Sequence, residues 1–265
     1  MQVNNFRSDV HALRAIAVLS VLFYHAGLVI DDFKILSGGF LGVDIFFVIS
    51  GFLITRILIK DFNENKFSFL KFYERRIRRI FPSLFLLLII VSIASIYLMN
   101  EKQYYENSNA ILATLFFGSN FFFLFQDSYT SVSSQFKPLI HTWSLGVEEQ
   151  FYLFFPIIIF ILLKFKQNLS IYIIFLITIS LTSCFILNNY YPEKNFYIST
   201  SRFWELLAGS LVYLIKINFK KNILFAKHIT VLFWILLIFF LFYFNNKINH
   251  PGWPNFIIVC ITSLI

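Results

Sequence analysis

An all-α, polytopic membrane protein is the fold class this sequence predicts, and three observations carry it. Hydrophobic residues make up 58% of the 265 and charged residues only 14%, and the mean hydropathy is +0.73, outside the range of a soluble domain. Apolar runs of spanning length recur along the whole chain. Lys and Arg gather in a few of the connections between those runs, the pattern left by membrane orientation.

In order, the runs fall at about 10–29, 38–59, 80–98, 109–125, 139–163, 170–187, 197–217 and 228–244, and a ninth begins near Asn255 and stops at Ile265. About ten residues of helix cannot cross a hydrocarbon core of ~30 Å. The expectation is therefore a bundle of about eight complete apolar segments plus part of a ninth, C-terminally incomplete. It forms one membrane domain over 1–265, because no linker, repeat or low-complexity segment divides it. Arg14 interrupts the first run, and no small-residue cleavage site precedes the next polar stretch, so a cleavable signal peptide is not expected.

The basic residues orient the bundle. If all eight runs cross, the connections carry twelve Lys and Arg on the cytoplasmic side and eight outside. If 109–125 enters and leaves on the same side, the split becomes fifteen against five, which the positive-inside rule favours. That run also carries Gly118, Ser119 and Asn120 near its middle, as a re-entrant segment buried in protein tolerates. The amino terminus then lies inside, and the +8 net charge is explained by orientation rather than by nucleic acid. Cys184 and Cys260 sit in apolar runs without a Cys or His at metal spacing, so neither a disulfide framework nor a metal site is expected.

The ionisable residues inside apolar runs are the candidates for chemistry, since charge there is costly and is buried against a partner or a cavity. In "LRAIAVLSVLFYH", Arg14 and His25 share one helix face, about 16 Å apart along the axis. Arg14 reads as a snorkelling anchor or a functional cation, and His25 as a hydrogen-bonded packing residue or a base. Asp44, in "GGFLGVDIFFVISGFLITR", lies about 9 Å below the outer boundary, at a depth similar to that of His25. An unpaired carboxylate there is expensive, so a partner is expected, and a pair with His25 is geometrically available. Gly38, Gly39, Gly42 and Gly51 allow close approach of neighbouring helices.

Before the third run, "FYERRIRRIFP" places Arg75, Arg76, Arg78 and Arg79 at the membrane boundary. They read as an orientation signal touching acidic lipid, or as a phosphate clamp; composition does not choose. Further on, "HTWSLGVEEQFY" sets His141, Ser144, Glu148 and Tyr152 along one helical stripe, with Glu149 about 80° away. Two adjacent glutamates in a spanning run point to a polar cavity. Ser144 is not in a Gly-x-Ser-x-Gly elbow and is not read as a hydrolase nucleophile. In "TSRFWELLAG", Arg202 and Glu205 are spaced to pair on one helix, as a structural ion pair or as part of a cavity wall.

With these motifs in this order, from about Phe6 to Leu214, the chain resembles the integral membrane acyltransferase-3 family, which acylates sugars of bacterial surface polysaccharides. The resemblance implies a multi-pass protein of the bacterial inner membrane, taking an acyl group, acetyl by default, from cytoplasmic acyl-CoA. The acceptor it implies is a carbohydrate hydroxyl, of lipopolysaccharide O-antigen, exopolysaccharide or peptidoglycan, often at the outer face. Family members usually have about ten helices, and some continue into an SGNH-type domain, whose Gly-Asp-Ser motif does not occur here.

On that reading Arg14, Arg75 and Arg78 meet the phosphates of acyl-CoA. His25 is the general base for the acceptor hydroxyl, and Asp44 orients its imidazole. Glu148 is a further catalytic candidate, and His141, Ser144, Glu149, Tyr152, Arg202 and Glu205 line the substrate cavity. Either the pantetheine arm threads a channel toward His25, or a covalent carrier such as Tyr152 relays the acyl group. The competing reading is a proton-coupled transporter of a small polar substrate, which would carry inverted repeats or paired helix breaks; neither is seen in the sequence.

Overall fold

The computed structural model describes residues 8–30, 33–126, 137–218, 223–245 and 249–265. Arg7, Lys220, Lys221, Lys247 and most of the 126–138 connection, all used in the orientation argument, lie outside the described residues. The protein is helical, as expected: α1 Ser8–Ala26, α2 Gly42–Asn63, α3 Phe69–Leu98, α4 Glu101–Leu115, α5 Ser119–Leu124, α6 Trp143–Lys164, α7 Leu169–Tyr190, α8 Pro192–Tyr197, α9 Phe203–Asn218, α10 Ile223–Tyr243 and α11 Trp253–Leu264. Among the described residues one small sheet pairs β1 Val29–Ile30 antiparallel with β2 Phe33–Lys34.

Among the described residues, five helical stretches are long and apolar enough to cross a bilayer: Ser8–Ala26, Gly39–Asn63, Phe69–Leu98, Ile140–Lys164 and Leu169–Tyr190. This is a multi-pass membrane protein. The outer faces of these helices present large apolar side chains such as Leu86, Ile90 and Ile93 on α3 and Ile171, Phe175 and Ile179 on α7, which suits contact with lipid and not with water.

Helix ends follow local chemistry. The Ser68 hydroxyl caps α3 by accepting from the Lys71 amide. Asn100 and Gln103 form a reciprocal capping box at α4, and Asn168 accepts from the Ser170 amide at α7; each satisfies amides that a helix start leaves open. Helix α3 begins well before its apolar run because the arginine-rich segment is itself helical.

Two compact units make up the chain. The first comprises Met1–Arg56, Asn168–Phe196 and Thr200–Ile265, with a core built from Leu13, Ala17, Leu41, Ile45, Leu237, Leu241 and Ile258. Close backbone approach fixes it. A Cβ on Gly42 would lie 2.5 Å from the Ala17 carbonyl oxygen of α1, and one on Gly51 would lie 1.7 Å from that of Leu206 in α9. Reciprocally, a Cβ on Gly209 would meet the Val48 oxygen at 1.8 Å. Helices α2 and α9 thus cross where only glycine leaves room, the use expected for the glycines of the second run.

The second unit comprises Ile57–Gln167 and Tyr197–Ser199. Here the 109–125 run is not one helix: it breaks at Phe117, whose φ is 53°, between α4 and α5. Buried polar side chains close the gap. The Gln150 amide donates to the Phe117 carbonyl (2.8 Å) and to Asn120 Oδ1 (2.8 Å). Asn120 donates to the Tyr197 carbonyl (3.0 Å) and Ser199 Oγ (2.9 Å), and Ser119 donates to the Thr142 carbonyl (2.8 Å). Irregular backbone at membrane depth requires this kind of internal satisfaction.

Candidate active site

In the second unit, α6 delivers the expected stripe. Glu148 and Tyr152, one turn apart, are joined by a hydrogen bond from the tyrosine hydroxyl to the carboxylate, while Ser144 donates to the His141 carbonyl oxygen at 3.2 Å. His141 itself is exposed at the head of the stripe. From α3, the Arg76 guanidinium lies over the Tyr152 ring, 4.4 Å from its centre. Phe72, one turn before Arg76, is buried, so that face of α3 turns inward and carries Arg76 with it.

Beside this contact is a cavity of about 310 Å³ whose walls include Tyr73, Arg76, Phe117, Glu149, Gln150 and Tyr152. One oxygen of Glu149 is buried without a hydrogen-bond partner. The two glutamates thus have different surroundings: Glu148 accepts from the Tyr152 hydroxyl, and Glu149 stands on the cavity wall. Arg75 and Arg78 face elsewhere: Arg75 pairs with Asp61 at 2.6 Å and Arg78 with Glu74 at 2.7 Å.

In the first unit a different set of charges is gathered. Arg202 donates to one oxygen of Asp44 at 2.7 Å and lies 3.2 Å from a Glu205 oxygen. His250 Nε2 is 3.0 Å from the other Asp44 oxygen. The Asn255 amide donates to Glu205 at 2.9 Å, and its own oxygen accepts the Gly252 amide at 2.7 Å. Asp44, Arg202, Glu205 and Asn255 are wholly buried. The Arg202 and Glu205 pairing at i, i+3 is present, inside the protein.

The partner of Asp44 is a correction: Arg202 and His250 occupy it, and not His25. A similar depth along two helices does not fix direction around either one. Gly42 packs on Ala17 of α1, and two residues further the side chain points about 200° away, so Asp44 faces away from α1. His25 is exposed in the last turn of α1, its ring edge-on to Tyr24 with centres 5.1 Å apart. The Tyr24 ring in turn takes the Lys34 ammonium at 3.9 Å. Because Ser8–Ala26 is one uninterrupted helix, half-buried Arg14 does share a face with His25.

A family model described as an acyltransferase domain matches residues 7–265. The chain belongs to this acyltransferase family. Its expected enzyme class, an acyltransferase, stands with that membership. An uncharacterized protein of Haemophilus influenzae is 35% identical over 238 residues, covering 84% of this chain and 96% of that one. A Staphylococcus aureus protein provisionally named an O-acetyltransferase is 34% identical over 265 residues, covering 95% of this chain but 43% of its own length. The peptidoglycan O-acetyltransferase OatA of Listeria monocytogenes is 36% identical over 208 residues, 76% of this chain and 32% of OatA. This chain thus spans less than half the length of the latter two relatives. No solved structure matches it.

His250 and Asn255, which join the buried charge cluster, are not among the residues the sequence singles out, and Arg76 is not set apart there from its three neighbouring arginines. His250 sits in a short polar connection between the last two apolar runs, where hydropathy raises no alarm. The usable signal was the unmet need of Asp44 for a cationic or donor partner.

Proposed function

We propose that residues 1–265 form the membrane acyltransferase domain of a bacterial inner-membrane O-acyltransferase with a cytoplasmic amino terminus. It moves an acyl group, acetyl by default, from cytoplasmic acyl-CoA to a hydroxyl of a surface carbohydrate. The observation that carries this reading is Arg76 laid on Tyr152, with Glu148 bonded to the tyrosine and Glu149 on the adjoining cavity wall, in a chain matched almost throughout by an acyltransferase family. The names of the Staphylococcus and Listeria relatives favour acetyl as the group and a cell-surface polymer as the acceptor.

In this scheme Arg75 and Arg78 bind the donor phosphates through charge-assisted hydrogen bonds. His25 takes the proton of the sugar hydroxyl as its oxygen attacks the thioester carbonyl. The C–S bond breaks, coenzyme A leaves as thiolate and is protonated, and the acetyl ester remains on the sugar. A covalent relay has its own candidates, since Glu148 accepts the Tyr152 proton and Arg76 offsets the charge that develops there. Asp44, committed to Arg202 and His250, serves the architecture of the site rather than the orientation of His25. The 109–125 run enters and leaves on the outer side, which the buried, hydrogen-bonded break at Phe117 supports.

The test is transfer itself. Inverted membrane vesicles supplied with acetyl-labelled acetyl-CoA should incorporate label into polysaccharide, and mild alkali should release it as acetate. Equal incorporation by vesicles from cells lacking the gene would remove the assignment.

A further inference from the structure

A second cavity in the same unit, of about 300 Å³, lies among α4, α5 and the segment entering α6, and the reaction scheme makes no use of it. Its walls include Lys102, Glu106, Asn107, Phe122, Gln126 and Lys137. Asn107 is the unusual member: it is 5% exposed, and neither its amide nitrogen nor its amide oxygen has a hydrogen-bond partner. A buried carboxamide left wholly unpaired costs free energy at both atoms. Such a group on a cavity wall is short of a partner that can donate and accept at once.

We propose that this cavity is the subsite for one sugar residue of the acceptor polymer, an inference that rests on the O-acyltransferase reading above. Sugar hydroxyls and acetamido groups both donate and accept, as the Asn107 carboxamide requires. Phe122 supplies an apolar surface for the C–H face of a pyranose ring, while Gln126, Lys102 and Glu106 add polar groups around it. The volume sits at the lower end of the roughly 300–1,000 Å³ typical of small-ligand pockets, enough for one ring of a chain that continues beyond the cavity. The Lys102 connection is on the outer side in the orientation argued above, the side where a surface polymer is acylated. Lys102 and Lys137 also stand on the wall, but the buried polar group there that has no hydrogen-bond partner is the neutral amide of Asn107, which calls for a neutral donor-and-acceptor ligand rather than a phosphate.

The experiment uses the full chain in detergent, with chitotriose, maltotriose and sialyllactose as probes and hydrogen–deuterium exchange of peptides covering 99–110 and 122–126 as readout. At least one oligosaccharide should protect these peptides. Asn107→Leu should weaken that binding by about tenfold or more and raise the KM for acceptor while acetyl-CoA affinity stays unchanged. Gln126→Ala, at a partly exposed wall position, should weaken it several-fold and guards against a folding defect in the first variant. Protection by none of the three sugars, or wild-type affinity in a folded Asn107→Leu protein, overturns the proposal. Sugar protection without acetyl-CoA binding would remove the acyl-transfer reading and leave the cavity assignment standing; acetyl-CoA binding and transfer without sugar protection would do the reverse.

Discussion

Two Arg–carboxylate pairs of nearly equal length lie in opposite surroundings. Arg202 meets Asp44 at 2.7 Å with both side chains 0% exposed, whereas Arg75 meets Asp61 at 2.6 Å with side chains 53% and 22% exposed. Distance therefore says little about role, and burial says much. Removing one partner of a buried pair strands an uncompensated charge and costs about 3–5 kcal/mol, while an exposed pair is worth about 0–1 kcal/mol. The first kind of pair holds helices in register. The second leaves a guanidinium that can exchange partners at small cost.

The largest expected effect breaks the buried member. Arg202→Met leaves Asp44 and Glu205 facing each other across the space the guanidinium filled, and thermal unfolding in detergent should register a loss of about 3–5 kcal/mol. Arg75→Met should lie within about 1 kcal/mol of wild type in the same assay. Equal stability of the two variants would erase the contrast.

His25 sharpens the comparison from the side of catalysis. His25→Ala should leave the unfolding temperature near wild type, because the ring is exposed, yet lower acetyl transfer by about 10²- to 10⁴-fold. Asp44→Asn should instead lose stability. The two residues share no contact in the structure, so their effects on transfer measured in folded protein should combine additively. If Asp44→Asn alone lowers transfer in folded protein, a double variant no worse than His25→Ala would restore a functional pairing of the two and contradict the geometry.

How much of this was legible in the sequence depended on whether a property was local. The apolar runs and the Glu148–Tyr152 pair were legible, because hydropathy and the i, i+4 spacing of one helix fix them. The Arg202–Glu205 pair was legible for the same reason. That Asp44 needed a partner was legible too, but its identity depended on which way α2 is turned against α1, and Gly42 decides that through packing. Of the four arginines, the one laid on the Tyr152 ring of α6 is Arg76, one turn after the buried Phe72, a placement that charge density does not indicate. The interruption at Phe117 left a trace in Gly118, Ser119 and Asn120, while the partners that satisfy it, Gln150 and Ser199, lie far away in sequence.

The smallest effects test whether the exposed arginines are a reserve for phosphate. Arg78→Ala and Arg75→Ala should each weaken acetyl-CoA binding by roughly tenfold, the loss of about 1.5–3 kcal/mol expected for a charge-assisted hydrogen bond. The chain should remain correctly oriented, as read by an impermeant thiol reagent reaching a cysteine placed at Tyr105 but not one at Lys66 in intact cells. Asp61→Asn carries the argument one step further. With its carboxylate gone, Arg75 no longer divides its donors between Asp61 and the ligand, so acetyl-CoA should bind a few-fold more tightly, most visibly at low salt where exposed charges are least screened. Weaker binding in Asp61→Asn would mean that the carboxylate positions Arg75 for the phosphate instead of competing with it. Unchanged binding in all three variants, with altered labelling, would make this basic face an orientation signal and leave Arg76, on the Tyr152 ring, as the donor-side cation to test next.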